Sequence, residues 1–132
     1  MAAPVEVPIP VARFIATHVQ TLEQLEVLLL MMHSPDRWWD AHAIAGAVGV
    51  LEDTARRILD RLAARNLLAI RITGDVRYQF QPGESSLAEA ARLTADTYRT
   101  NRLGVLQLVT EARRRSLRAF ADAFRIRDDD DR

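Results

Sequence analysis

One stretch of this chain changes its hydrophobic period from helical to alternating, and it limits the fold more than any other. Residues 67–81 read "LLAIRIT", "GD", "VRYQFQ", two runs of period two around a turn that contains Gly74. Successive side chains of a strand fall on opposite faces, and a glycine-containing turn lets two such runs pair, so the stretch is a hairpin signal. Ile70 and Ile72 then stand opposite to Arg71. An isolated hairpin is at best marginally stable in water, so the core must come from the flanking helical segments.

Upstream, "TLEQLEVLLLMMHS" begins with Thr21 and has Gln24 three positions on, a capping-box pattern that starts a helix. Leu22, Leu25, Leu29 and Met32 recur at spacings of three and four, and Val27, Leu28 and Leu30 widen that stripe until the helix belongs at the centre of a core. "SPDRWWDAHAIAGAVGV" supplies a proline turn, an extended patch with Trp38 and Trp39, and a short helix capped by Asp40. One tryptophan is expected in the core and one partly exposed. Ala43, Ile44 and Val48 would face inward, and Gly49 would make the tight turn that follows. The next helix runs from about Glu52 to Arg65 on an inner face of Ala55, Ile58, Leu59 and Leu62, with Asn66 as the left-handed residue at its end.

Residues 1–10 hold three prolines and no periodicity and read as a flexible arm, after which "VARFIATHV" adds a short helix that packs Phe14 and Ile15 on the body. Beyond the hairpin, Ser86 and Glu89 form another capping-box pattern. Leu87, Ala91, Thr94, Tyr98, Asn101, Val105, Leu108 and Ala112 then step by four and three, as in a seam for another helix. Asn101 would either set register between two copies or face solvent, and Gly104 would bend the helix or admit a close crossing. After "RRRS" a short terminal helix, "LRAFADAF", presents Leu117, Phe120 and Phe124. A homodimer built on Leu87, Ala91, Tyr98, Asn101, Val105, Leu108, Phe120 and Phe124 is favoured over one chain folding these segments back on itself.

The 132 residues, 48% hydrophobic, suffice for one domain with an extra element. The boundaries are an arm at 1–10, a domain at 11–82, a C-terminal helical segment for dimerisation at 83–127 and an acidic tail at 128–132. No cysteine is present, so disulfides, thiolate metal sites and cysteine nucleophiles are excluded. No apolar run approaches the ~18 residues that span a bilayer, and no signal peptide opens the chain, so a soluble, cytoplasmic protein without membrane contact is expected. Net charge is zero, but residues 51–127 hold 15 arginines against 9 acids, while the segments on either side are acidic. Any nucleic-acid face belongs to that middle part.

The segments "WDAHAIAGAVGV" from Trp39, "TARRILDRLAARNLL" from Thr54 and the hairpin ending "VRYQF" resemble the winged helix-turn-helix family, in particular the MarR-like bacterial transcriptional regulators. The resemblance spans residues 21–82. It implies a mainly α fold with a small β-hairpin, completed here by a long C-terminal helix and a short terminal one. It also implies a helix at about 52–65 in the major groove of double-stranded DNA and a wing at 67–81 on the backbone. Carried over by position, Thr54, Arg56, Arg57, Arg61, Arg71 and Arg77 become DNA-binding candidates, with Asp75 also on the wing. Glu52 and Asp53 are the departure, because they follow Leu51 where the family often has a hydroxyl cap and a small or amide residue. They stabilise the helix dipole, and they would either discriminate at a base pair or bind a protein partner.

No local pattern supports enzyme chemistry. His18, His33 and His42 lack metal-ligand spacing, the five glycines form no phosphate loop, and no nucleophile triad or paired carboxylates stand together, so no cofactor or metal is expected. Two functions remain: a dimeric DNA-binding regulator, and a winged-helix module that binds a protein partner in a signalling or transcription complex.

Overall fold

Six helices and one antiparallel hairpin follow one another in the computed structural model, which describes residues 6–130, with side chains described as far as Phe124. They are α1 (Ile9–His18), α2 (Leu22–His33), α3 (Ala41–Val48), α4 (Glu52–Ala64), β1 (Leu68–Ile72), β2 (Val76–Phe80), α5 (Ser85–Thr100) and α6 (Arg102–Asp130). The fold is therefore mainly α with a small β-hairpin. Of the arm expected at 1–10, residues 1–5 lie outside the described residues, and Ile9 and Pro10 already belong to α1, where proline in the first turn loses no helical hydrogen bond. Phe14 and Ile15 are buried as expected.

The Thr21 cap is present: its hydroxyl accepts from the Gln24 N–H at 3.1 Å, and the Gln24 side chain reaches back to accept from the Gln20 N–H at 2.8 Å. The buried face of α2 is not the expected stripe. Gln24, Leu25, Val27, Leu28 and Met31 are buried, while Leu22 is exposed. Eight of the twelve residues of this helix are apolar, with an unbroken run from Val27 to Met32, so spacing alone does not select the face. In α3, Asp40 caps the Ala43 N–H at 2.7 Å, and Ala41, Ile44 and Ala45 are buried, with Ala43 and Val48 half-buried. Gly49 then adopts φ 82°, a left-handed conformation that costs other residues energy and turns the chain into α4.

In α4 the buried residues are Ala55, Ile58, Leu59 and Leu62, and Asn66 follows at φ 68°. The strands pair in register Leu68↔Phe80, Ile70↔Tyr78 and Ile72↔Val76, which sets the apolar residues on one face and Arg71↔Arg77 on the other. Only the root of that apolar face is covered: Leu68 and Tyr78 are buried, but Ile70, Ile72 and Val76 are exposed, Ile72 at 74%. The hairpin is longer than the core beneath it. Trp39 extends the sheet through an isolated bridge to Tyr78, with both backbone hydrogen bonds at 2.7 Å.

The C-terminal segment departs from expectation in three ways. Its first helix starts at Ser85 with Glu84 at the cap and no side-chain cap bond, so Ser86 and Glu89 form no capping box there. The Gly83 N–H is tied to the Asn66 carbonyl at 3.0 Å, and a side chain at Gly83 would collide with that of Asn66, which sets where the helix can begin. The chain then breaks at Asn101, not at "RRRS": the Asn101 side chain accepts from the Gly104 N–H and donates to the Glu6 carbonyl, each at 3.1 Å. Within the chain, Asn101 is the cap of α6. From there α6 runs 29 residues through the arginines, so the expected separate short terminal helix is part of one long helix. Arginine is a good helix former, and this stretch holds no glycine or proline after Gly104.

Both α5 and α6 pack on α1. Ala91, Val105 and Ala112, expected on a seam between copies, are buried within the single chain, and Leu87, Tyr98 and Leu108 are half-buried there. From Arg113 to Phe124 every side chain of α6 is exposed. Among the described residues, no helix is long and apolar enough to cross a membrane.

Candidate nucleic-acid interface

Helix α4 projects its polar side between two neighbours, the start of α2 on one flank and the hairpin on the other. Its position against the hairpin is held by Tyr78, whose hydroxyl donates to the Asp60 carboxylate at 2.5 Å. Burial, followed by the Asp60 hydrogen bond and charge, pushes the Tyr78 hydroxyl pKa up to about 12. The Gln79 amide donates to the Asp36 carbonyl at 2.9 Å and ties the second strand to the loop before α3.

The hairpin flank is electrostatically closed. Arg56 lies 3.4 Å from Glu52 and 3.6 Å from Asp53, and Glu52 also reaches the His42 ring at 3.4 Å. The two acids that open the helix therefore neutralise the arginine one turn later. Glu52 and Arg56 line a cleft of about 240 Å³ whose other wall includes Asp75 and Val76. On the hairpin, Arg77 pairs with Asp75 at 2.8 Å, and this hydrogen bond lowers the Asp75 pKa and raises that of Arg77. Arg71 makes no ion pair among the described residues and lies over the Trp38 ring, 4.4 Å from its centroid. A cation so placed gains from the ring's negative face while its edge stays free to donate. Trp39 is buried and Trp38 half-buried, so the pair divides as expected.

The α2 flank is open. Leu51, Thr54, Arg57 and Arg61 line a cleft of about 790 Å³ together with Gly49, Val50, Ile58, the cap residue Thr21, and Glu23 and Gln24 of α2. Arg57 is exposed, Arg61 half-buried, and neither forms an ion pair among the described residues. The Arg61 Nε is buried without a hydrogen-bond partner. The arginine candidates thus split: Arg56 and Arg77 are paired with acids, whereas Arg57, Arg61 and Arg71 make no ion pair among the described residues.

Two participants escape local reading. His42 comes to Glu52 from the preceding helix, ten residues away, and sequence assigns it only to a helix end or the surface. Trp38 supports Arg71 across the sheet, and only the adjacent tryptophans hinted at an exposed ring.

A second cavity, about 490 Å³, lies between α1, the end of α4 and the start of α5, with Arg13, His18, Arg65 and Glu84 on its walls. Burial, and then the charge of Arg65, lower the His18 pKa. Among the described residues, no group of three or more histidine or acidic side chains stands close enough to hold a metal ion.

No protein-family model matches the sequence, and no curated protein does. The fold is similar to that of a solved protein, the crystal structure of RV1404 from Mycobacterium tuberculosis, with a TM-score of 0.52 over 86% of this chain and 81% of that one. Identity between the two is 19%, a level at which the likeness concerns the fold alone.

Proposed function

We propose that this protein is a cytoplasmic DNA-binding transcriptional regulator of the winged helix-turn-helix, MarR-like kind, acting as a homodimer without a cofactor. Helix α4 enters the major groove of double-stranded DNA and the hairpin is the wing on the adjacent backbone. The observation that carries this reading is the placement of α4. It follows α3 through the left-handed Gly49 turn, buries one face, and leaves Arg57 and Arg61 without an ion pair among the described residues on the other, with Arg71 on the hairpin beyond. Cations without acidic partners on a projecting helix are what phosphate and guanine contacts require.

The second copy is held by the outer half of α6. Leu117, Phe120 and Phe124 are spaced by three and four on one side of that helix, are more than half exposed, and have no cover among the described residues. Pairing of these stripes would hide apolar surface and give the assembly two α4 helices for one duplex. A titration of mixed genomic duplex fragments, with sedimentation to count protomers, tests the proposal. Saturable binding by a dimer is expected, and a monomer that leaves duplex DNA unbound contradicts it.

One observation favours a second reading, a winged-helix module that binds a protein partner. Arg56 and Arg77 are both closed by acids, and Ile70, Ile72 and Val76 leave an apolar strip at the hairpin tip.

A further inference from the structure

Leu51 is the most exposed large hydrophobic residue among those described, at 77%. It occupies the N-cap of α4 in an extended conformation, φ −68° and ψ 150°, and gives no side-chain cap bond. Neither burial nor helix stability explains a leucine there, because a hydroxyl or carboxylate would cap the helix and leucine cannot. Its backbone does the local work: the Leu51 carbonyl accepts from the Ala55 N–H at 2.9 Å. The side chain is left over, and it borders the same cleft as Thr54, Arg57 and Arg61.

We propose that Leu51 reads the 5-methyl group of a thymine in the major groove. This rests on the DNA-binding reading above and names a specificity residue within it. The C5-methyl is the apolar feature that a base pair presents in that groove, and apolar side chains recognise it by contact. Residues at the N-terminal end of a helix in the groove are those that reach base edges, which gives Leu51 that position while Arg57 and Arg61 lie nearly two and nearly three turns further along. Charge complementarity selects DNA as the occupant of this flank: both arginines beside Leu51 lack acidic partners among the described residues, whereas the opposite flank is neutralised by Glu52 and Asp53. A protein partner with an apolar knob is the competing occupant.

The test is selection from a random-sequence duplex pool with the wild type and with Leu51→Ser, which supplies a favourable cap and so keeps the helix, as a thermal melt would verify. Each thymine of the wild-type consensus is then replaced singly by deoxyuridine, which removes only the methyl group. One position should weaken wild-type binding about fourfold, the order expected for burial of one methyl, and the same replacement should leave Leu51→Ser unaffected. If Leu51→Ser selects the same sequences with the same uracil penalty, or if no thymine methyl matters to the wild type, the assignment of Leu51 is overturned while DNA binding stands. A wild-type pool with no enriched sequence overturns the DNA-reading function itself and this assignment with it.

Discussion

Glu52 holds Arg56 at 3.4 Å across one turn of α4, and its other oxygen lies 3.4 Å from the His42 ring. The acids at the start of this helix therefore screen one arginine instead of forming a bare negative surface. Glu52→Gln with Asp53→Asn should release Arg56 and strengthen non-specific duplex binding, with only a modest loss of stability from the helix dipole, ~0.3–1 kcal/mol per acid. Unchanged DNA binding, measured by fluorescence anisotropy, would contradict the screening of Arg56, and weaker binding would show that the acids contribute recognition of their own.

Tyr78 joins the hairpin to α4 through Asp60, and its removal should loosen that angle. Tyr78→Phe should cost ~1–2 kcal/mol at neutral pH in a denaturant titration. Because the folded pKa is raised to about 12, the native state holds this proton more tightly than the unfolded chain does. The contribution is complete below the ordinary tyrosine value, ~10, and disappears as pH rises through the folded value. Wild-type stability should fall across that alkaline window relative to Tyr78→Phe, and parallel curves would contradict the buried hydrogen bond.

Asn101 starts α6 and touches the backbone at Glu6. Asn101→Ala should lower the stability by ~0.5–2 kcal/mol through the lost cap, without changing the oligomeric state. A shift in mass by sedimentation would instead return Asn101 to a seam between copies.

Phe120→Ser with Phe124→Ser should convert the proposed dimer to a folded monomer. Both side chains are exposed within one chain, so neither supports its core. A dimer that survives the double substitution would mean that another surface holds it.

The sequence makes α4 and the hairpin legible because both are truly two-sided. Ala55, Ile58, Leu59 and Leu62 are separated by charged residues, and Arg71 interrupts Ile70 and Ile72, so period alone assigns their faces. In α2 every residue from Val27 to Met32 is apolar, and the face is decided by neighbours the local pattern does not contain. The C-terminal seam illustrates the same limit over longer range. Its apolar spacing is real, but α1, from a distant part of the chain, packs on both α5 and α6, and Ala91 and Val105 are buried within the chain, so spacing alone does not say how much of the seam is left for a second copy. The break at Asn101 is hidden because the apolar steps continue through it and an asparagine fits a seam, a surface or a cap. Within the candidate site, the spacing of Glu52, Asp53 and Arg56 is readable as ion pairs, whereas the openness of the Arg57 and Arg61 flank depends on where α2 begins its first turn.

The most direct test of DNA recognition by α4 is the salt dependence of duplex affinity for the wild type, Arg57→Ala with Arg61→Ala, and Arg56→Ala. Each phosphate neutralised contributes roughly 0.9 to the slope of log affinity against log salt. The wild type should show a steep slope, the double variant a slope shallower by up to about two such contributions, and Arg56→Ala almost none of that loss. Equal slopes for all three proteins, or no binding at low salt, would contradict the account.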